Sequence, residues 1–545
     1  MYNKTYQTGV QNSRELERIL QIPRRVTDLS LLDPIRGAVT LPGARLRLWD
    51  DQARALLEAL DADGLFGQLS VGFGKTLVCA LLPTVLQKRA IILTKSALVE
   101  QTKRMIYDYR KDFVIRPDLR VVSYSTLSSI KQARILTELN PELIIADECH
   151  SLSDKKAART KRFLRYMGER PDTIFCAVSG TICKRSIKDF AHLLYLALQE
   201  HSPLPTDWAT LEEWSEALDV SNNQRPAGKL RVFCEGDEHV REGWRRRFLD
   251  TKGVIASADA ELGCSLEIHK HSPPDVTDIQ DTIREVEKTW ERPDGEVLVF
   301  AMDVAKTLRQ VRLGGYYVWD WKKVGLDEPD EEWLFARRDY LHDVRKFLAS
   351  NKAKDDFDSP HLLDLAHIRG DLGFASWPAW ERVRLRPKPP SVWVWITKEL
   401  VSWVAKFIED LQEPCIVWTD IVTFAHELSK VTRLPYYGAG SDAEMNLSKE
   451  DGTRSVIASI QAHGTGRNLQ AFSTAVVAGG SPSGKLWEQL LGRLHRNGQQ
   501  ADTVTYHSLF PYELDTAIGD ATFIQQTTGS PQKLLTCSYV EETND

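Results

Sequence analysis

The sequence predicts an α/β protein of two lobes, each a parallel sheet wrapped by helices, with a helical, tryptophan-rich insertion between them. Three observations carry this. Short apolar segments alternate with helix-like segments from residue 45 to 200, and the same alternation returns over 396–520; alternation of this kind gives parallel strands joined by crossover helices. The strand-like segments are continuous apolar runs rather than in/out patterns, which is how strands buried on both faces read. The stretch between the two regions differs in character: of 15 tryptophans in the chain, 12 fall between 208 and 403.

In chain order, residues 1–44 form a polar lead-in. The first lobe, 45–200, offers strands at 90–94, 120–124, 143–146 and 173–178, with helices between them such as 49–60 and 75–86. A middle region, 201–395, begins with helices and a strand pair. It continues into the charged insertion 320–390, which carries an amphipathic helix at 331–349 and a proline-rich exit, Arg386-Pro387-Lys388-Pro389-Pro390, read as a linker. Strands at 415–418, 455–460, 474–478 and 503–507 belong to the second lobe, 396–520, and residues 521–545 remain as a C-terminal tail.

At 545 residues the chain exceeds what one core supports. It contains no apolar stretch of bilayer-spanning length, and its first residues lack the charged-then-apolar layout of a secretion signal. The eight cysteines are scattered without a Cys-x-x-Cys pair, so reduced thiols and a cytoplasmic location are expected. A net charge of −6 gives no global attraction to nucleic acid; any such binding must use local basic patches.

The chemistry concentrates in two segments. Leu69-Ser70-Val71-Gly72-Phe73-Gly74-Lys75-Thr76 offers a glycine-bearing turn, a lysine and a hydroxyl before a helix, the order that a triphosphate and its Mg²⁺ require. Backbone N–H groups of such a loop wrap phosphates at the helix N-terminus. Lys75 would neutralise the β- and γ-phosphates, and Gly72 and Gly74 would let the backbone approach. Leu143-Ile144-Ile145-Ala146-Asp147-Glu148 is a buried strand delivering two carboxylates to its end. Thr76 and Asp147 would hold Mg²⁺, and Glu148 would orient and deprotonate the attacking water. A turn before a helix and a capped strand end would explain each segment alone; together they are the apparatus expected of a nucleoside triphosphatase.

These segments resemble motifs I and II of superfamily 2 helicases, a family that often lacks the first Walker glycine, which accounts for Leu69. Other pieces follow in the family's order. Leu46–Gln52 is similar to the upstream element whose glutamine, here Gln52, reads adenine. Thr94-Lys95 and Ser123-Tyr124-Ser125-Thr126 resemble motifs Ia and Ib, which implies that Lys95, Ser125 and Thr126 contact nucleic acid. Ser179-Gly180-Thr181 resembles motif III, Trp418-Thr419-Asp420 falls where motif IV is expected, and Gly464-Thr465-Gly466-Arg467-Asn468-Leu469-Gln470 resembles motif V. Gln489-Leu490-Leu491-Gly492-Arg493-Leu494-His495-Arg496-Asn497-Gly498-Gln499 resembles motif VI of the Swi/Snf-type branch, as does Leu308-Arg309-Gln310 upstream, and the compact size points to a phage or bacterial member.

The resemblance implies two RecA-like lobes of the P-loop NTPase class with ATP and Mg²⁺ between them. It further implies nucleotide contact by Gly466, nucleic-acid contact by Thr465 and Arg467, and coupling of hydrolysis to lobe movement through His150, Ser179, Gly180, Thr181 and Gln489. Arg493 and Arg496, three apart at the start of or on a helix, would reach the γ-phosphate, with Arg496 as the finger and Arg493 supporting it. The implied activity is ATP-driven translocation on nucleic acid, with duplex DNA the favoured track. The rivals are a strand-separating DNA or RNA helicase, whose wedge would lie in 320–390, and an ATP-switched clamp without processive movement. Lys184-Arg185 adds to the basic track. The cluster Arg241, Arg245, Arg246 and Arg247 reads equally as DNA contact or solvated helix face, and the tryptophans read chiefly as core. Cys234, His239, Cys264, His269 and His271 are spaced like no common zinc finger.

Overall fold

The structure is a computed structural model that describes residues 8–26, 28–69, 73–129, 132, 134–155, 157–180, 182, 186–219, 225–256, 264–349, 360–464, 468–481, 483–496 and 498–542. Its architecture is α/β, with two all-parallel sheets of six and seven strands. The first contains β1 (Leu65–Gln68), β2 (Ala90–Thr94), β3 (Arg120–Ser123), β4 (Leu143–Asp147), β5 (Ile174–Ser179) and β6 (Val254–Ala256), in the spatial order β3-β2-β4-β5-β1-β6. Strands β2 and β4 are buried along their whole length, as their unbroken apolar runs require. Because every pairing is parallel, Gln68, Thr94, Asp147 and Ser179 finish at one edge. Ligands bind outside that edge in open α/β sheets.

The second sheet draws on distant parts of the chain. It contains β7 (Ser265–His271), and beyond the hairpin strands β8 (Gly315–Trp319) and β9 (Ser391–Trp395) come β10 (Cys415–Thr419), β11 (Tyr436–Tyr437), β12 (Val456–Ser459), β13 (Thr474–Val477), β14 (Thr503–Ser508) and β15 (Ser538–Glu542). Their order is β11-β12-β10-β13-β14-β7-β15. The 201–395 region therefore gives β6 to the first sheet and β7 to the second, and the expected tail contributes β15 (Ser538–Glu542) at the edge of the second. The lead-in is also built in: Leu16 and Ile19 of the helix Arg14–Gln21 enter the first lobe's core.

The insertion folds around its own aromatic core. The antiparallel pair β8–β9 and the helices Glu331–Ala349, Pro360–Arg369 and Trp377–Val383 bury Trp333, Tyr340, Trp377 and Trp380. Tyr340 stacks on Trp380 at 5.7 Å, and Arg337 lies over Trp333 at 5.2 Å while both its Nε and Nη2 donate to Glu296 Oε1. The expectation that the tryptophans are chiefly core holds for Trp333, Trp377 and Trp380 here and for Trp214 and Trp244 in the first lobe, whereas Trp319 and Trp321 are partly buried and Trp208 is exposed. The proline-rich exit is not a free linker. Arg386 pairs with Asp330 and Glu332, Lys388 sits 4.8 Å above the Trp319 ring, and Asp320 N donates to Pro390 O at 2.8 Å.

Half of the arginine cluster points inward rather than forming a solvated helix face, and Arg245 and Arg246 are half-buried. Arg241 and Arg247 are buried. Arg241 Nε donates to Leu218 O, Arg247 Nη2 donates to Ile19 O and Ile22 O, and Arg246 is held by Glu238. Guanidiniums with several backbone acceptors act as internal clamps.

Candidate active site

At the carboxyl edge of the first sheet, β1 leads toward the helix Lys75–Val85. Gly74 caps that helix at φ +80°, a left-handed conformation that suits glycine. A Cβ at this position would also come 2.6 Å from Gln52 Nε2, so the Gln52 amide would have to shift to admit one. The helix N-terminus, the positive end of its dipole, opens on the cleft, and Lys75 Nζ donates to Leu69 O at 3.2 Å.

Gln52 is buried behind the loop. Its Nε2 donates to Phe73 O at 2.8 Å and its Oε1 accepts from Trp49 N at 3.1 Å. Both ends of the amide are engaged in bracing Phe73-Gly74 and starting the helix Asp50–Ala62, and Gln52 is not among the residues lining the cleft.

Asp147 and Glu148 stand at the end of β4. Asp147 is buried, with Thr94 Oγ1 3.4 Å from its Oδ2 and Tyr124 OH donating to its backbone carbonyl at 2.8 Å. Burial, then the neighbouring Glu148 charge, raises its carboxyl to about 6. Glu148 takes φ +58°, which turns its side chain toward β5. Ser179 Oγ donates to Glu148 Oε2 at 3.0 Å, and His150 Nδ1 lies 3.2 Å from that oxygen and 3.1 Å from Ser179 Oγ. A non-glycine residue in this region costs about 1–2 kcal/mol and persists where surrounding contacts fix it. Burial alone would raise Glu148, but the His150 hydrogen bond and the Lys75 charge outweigh it and hold the carboxyl well below its usual range. His150 is depressed to about 4, mainly by burial, so it donates from Nδ1 as a neutral imidazole.

The second lobe completes the cleft. The helix Gly484–Leu491 ends at Gly492, so Arg493 and Arg496 lie in the turns beyond it, a correction to the expected helical placement. Arg493 is buried, with Nε donating to Gln489 O at 2.8 Å. Arg496 is half-buried and lies in the field of Tyr109 of the first lobe. Gly74, Lys75, Thr76, Asp147 and Glu148 face Arg493 and Arg496 across an open cleft. No protein-family model matches the chain, and no curated protein matches it.

Sequence reasoning missed several residues here. Gln101, Thr102 and Met105, on one face of the helix Val99–Tyr109, line the cleft without any motif to mark them. Lys485, from the second lobe, acts electrostatically on Cys149 and His150 across the lobe boundary. Gln489 is buried, and its contact with Arg493 runs through its backbone carbonyl.

Lys95, Ser125 and Thr126 gather at the carboxyl ends of β2 and β3. Ser125 Oγ lies 2.6 Å from Ser96 Oγ and 2.7 Å from Ser123 Oγ, and Ser123 Oγ is 2.8 Å from Thr126 Oγ1. Ser96 joins this hydroxyl group unannounced by the sequence. In the second lobe the Leu308-Arg309-Gln310 and Trp418-Thr419-Asp420 segments meet: Arg309 pairs with Glu513 at 3.4 Å and opposes the rise that burial gives Asp420. Gly72, Thr181, Lys184, Arg185, Thr465, Gly466 and Arg467 lie outside the described residues. Among the described residues no group of three or more His, Cys, Asp or Glu side chains is arranged to hold a metal ion, and the cysteines are free thiols.

Proposed function

We propose that the protein is an ATP-dependent nucleic-acid translocase of the superfamily 2, Swi/Snf-like type, with two RecA-like lobes and duplex DNA as its track. The observation that carries this reading is the cleft in which Lys75, Thr76, Asp147 and Glu148 of one lobe face Arg493 and Arg496 of the other.

The residues fit Mg²⁺-ATP. Thr76 and Asp147 open on one space, and a buried carboxylate raised by burial and by its neighbour's charge is one that a divalent cation would stabilise in its ionised form. Mg²⁺ is commonly held by one or two protein oxygens plus phosphate oxygens and water, so a larger cage of ligands is not required. Bound there, Mg²⁺-ATP supplies the phosphoryl group that water attacks. Lys75 and the helix N-terminus bind and orient the phosphates. Glu148, kept ionised and aimed by Ser179 and His150, orients the water and accepts its proton. Arg496 neutralises charge developing on the phosphoryl oxygens, with Arg493 beside it.

Because the arginines come from the other lobe, a complete site requires a closed cleft, so binding and hydrolysis drive closure and opening. A pure switch needs neither an aimed Glu148 nor arginines across the cleft. Lys95, Ser125 and Thr126, on the same edge of the sheet, supply cation and hydroxyl contacts of the kind that grip a phosphate backbone without reading sequence.

ATP hydrolysis measured in parallel with duplex DNA, single-stranded DNA and RNA tests the proposal, with Glu148→Gln as control. Stimulation by duplex DNA, abolished in Glu148→Gln, is expected. Stimulation by RNA alone would overturn the duplex-DNA track, no stimulation by any polymer would favour the clamp, and full activity in Glu148→Gln would refute the water-activating role.

A further inference from the structure

The C-terminal stretch belongs to both lobes. In the helix Leu514–Thr528, Leu514, Ala517 and Ala521 enter the second lobe's core, whereas Phe523 enters the first lobe's. Arg241 of the first lobe lies 5.3 Å over the Phe523 ring, and its Nη1 donates to Gln526 Oε1 at 3.0 Å. Gly529 ends the helix at φ +72°, where a Cβ would come 2.7 Å from Leu249 Cδ1; glycine lets the chain turn close beneath the first lobe.

The next residues cross back. Ser530, buried, donates from Oγ to Gly180 O at 3.4 Å. Gly180 follows Ser179, whose hydroxyl holds Glu148. Three residues on, Lys533 N donates to Glu488 Oε2 at 2.6 Å, and Lys533 Nζ donates to His495 Nδ1 at 3.1 Å. His495 in turn donates from Nε2 to Cys264 O at 3.1 Å and stands between Arg493 and Arg496. Lys533 is buried, and its ammonium meets an imidazole nitrogen rather than a carboxylate. Burying an ammonium in that setting is costly, and the hydrogen bond commits His495 to a single tautomer and ring orientation.

We propose that Ser530 and Lys533 are positioning residues for hydrolysis: residues 530–533 tie Gly180, beside the hydroxyl that aims Glu148, to His495, which holds the turn carrying Arg493 and Arg496. This rests on the nucleotide-hydrolysis reading above. The segment sets the spacing between the two halves of the site, and its residues are not among those lining the cleft. His495 is held down to about 4, first by burial and then by the Lys533 charge, so it remains a neutral acceptor for that ammonium.

The test uses the full chain with Lys533→Met, Lys533→Arg and Ser530→Ala, and two readouts. One is backbone amide exchange across residues 492–496 without nucleotide; the other is steady-state ATP hydrolysis. In Lys533→Met we expect faster exchange at 492–496 and a kcat lower by about tenfold, as for loss of a charged hydrogen bond, with KM unchanged. Lys533→Arg restores most of both, and Ser530→Ala lowers kcat without changing KM. A Lys533→Met protein with wild-type exchange and wild-type kcat overturns the proposal. If Lys533→Met does not fold, Ser530→Ala decides: wild-type kcat overturns it, and a lowered kcat at constant KM supports it. If the wild type hydrolyses no ATP, the enzymatic reading falls, and the exchange measurement alone decides whether Lys533 holds the arginine turn.

Discussion

Ser179 Oγ donates to Glu148 Oε2 across 3.0 Å, joining the end of β5 to the end of β4. His150 Nδ1 reaches the same carboxylate oxygen, so the left-handed backbone at Glu148 is fixed by two donors. The carboxylate expected to act on water is thereby aimed and kept ionised before any ligand arrives, which is the preorganisation that hydrolysis needs.

Ser179→Ala removes one of those donors and leaves His150 as the other. A hydrogen bond to a charged group contributes about 1.5–3 kcal/mol, and roughly 1.4 kcal/mol is tenfold in rate. The expected outcome is a kcat for ATP hydrolysis reduced by about tenfold or more with little change in KM, because Ser179 is not among the residues lining the cleft. Steady-state kinetics check this; an unchanged kcat would mean that His150 alone aims Glu148.

His192 gives a pH dependence of stability. Its Nε2 donates to Leu152 O at 2.9 Å, its Nδ1 is buried without a hydrogen-bond partner among the described residues, and burial lowers its pKa from the usual 6.5 to about 4. Between these values the unfolded chain binds a proton that the folded chain refuses, so His192 destabilises the fold as pH falls from 6.5 toward 4. The size is about 3 kcal/mol at most. Gln at 192 keeps a donor for Leu152 O and cannot titrate. Urea unfolding of wild type and His192→Gln should diverge below pH 6.5, with the wild type losing more; parallel curves would refute the assignment.

Gly484→Ala sets two effects against each other. Alanine favours a helix by about 1 kcal/mol over glycine. A Cβ at 484, however, would come 2.5 Å from Ala517 O and 2.7 Å from Ala521 N, and backbone cannot step aside as a side-chain tip can. Overpacking of this kind costs about 1–3 kcal/mol. Net destabilisation is expected in urea unfolding, together with loss of the close packing between the helices Gly484–Leu491 and Leu514–Thr528; a stabilised variant would show that those helices yield.

How much was legible in the sequence follows from whether the signal was local. Ile91-Ile92-Leu93 and Leu143-Ile144-Ile145 are apolar without interruption, and their strands lie where that pattern put them. Leu65–Gln68 is a central strand that escaped notice, because Leu-Phe-Gly-Gln is short and ends in a polar residue. Strand β7, Ser-Leu-Glu-Ile-His-Lys-His, reads as an ordinary half-polar strand, and nothing near it says that its partners are β14 and β15. The cleft divides the same way. Lys75, Asp147, Glu148, Arg493 and Arg496 announce themselves by spacing within short motifs. Gln101 and Met105 line the cleft, and Lys485 and Lys533 bear on its residues, through packing between elements remote in sequence, which no local pattern encodes.

Arg493 and Arg496 can be separated experimentally. Arg493 is buried and spends its Nε on Gln489 O, so part of its role is to hold the turn. Arg496 is half-buried, and burial lowers its pKa against the opposing influence of Tyr109; at neutral pH it remains charged, and partial desolvation strengthens its attraction for phosphate oxygens. An arginine supplied across a cleft contributes roughly 10³–10⁵ to the rate of phosphoryl transfer. Arg496→Ala should therefore lower kcat by about 10³ while leaving the unfolding midpoint near that of the wild type. Arg493→Ala should lower kcat and also reduce stability, since it leaves the Gln489 carbonyl unpaired in a buried site at a cost of about 1–3 kcal/mol. Parallel hydrolysis and urea-unfolding measurements on the two variants decide the matter: a stable, inactive Arg496→Ala identifies the finger, and an active one transfers that role to Arg493.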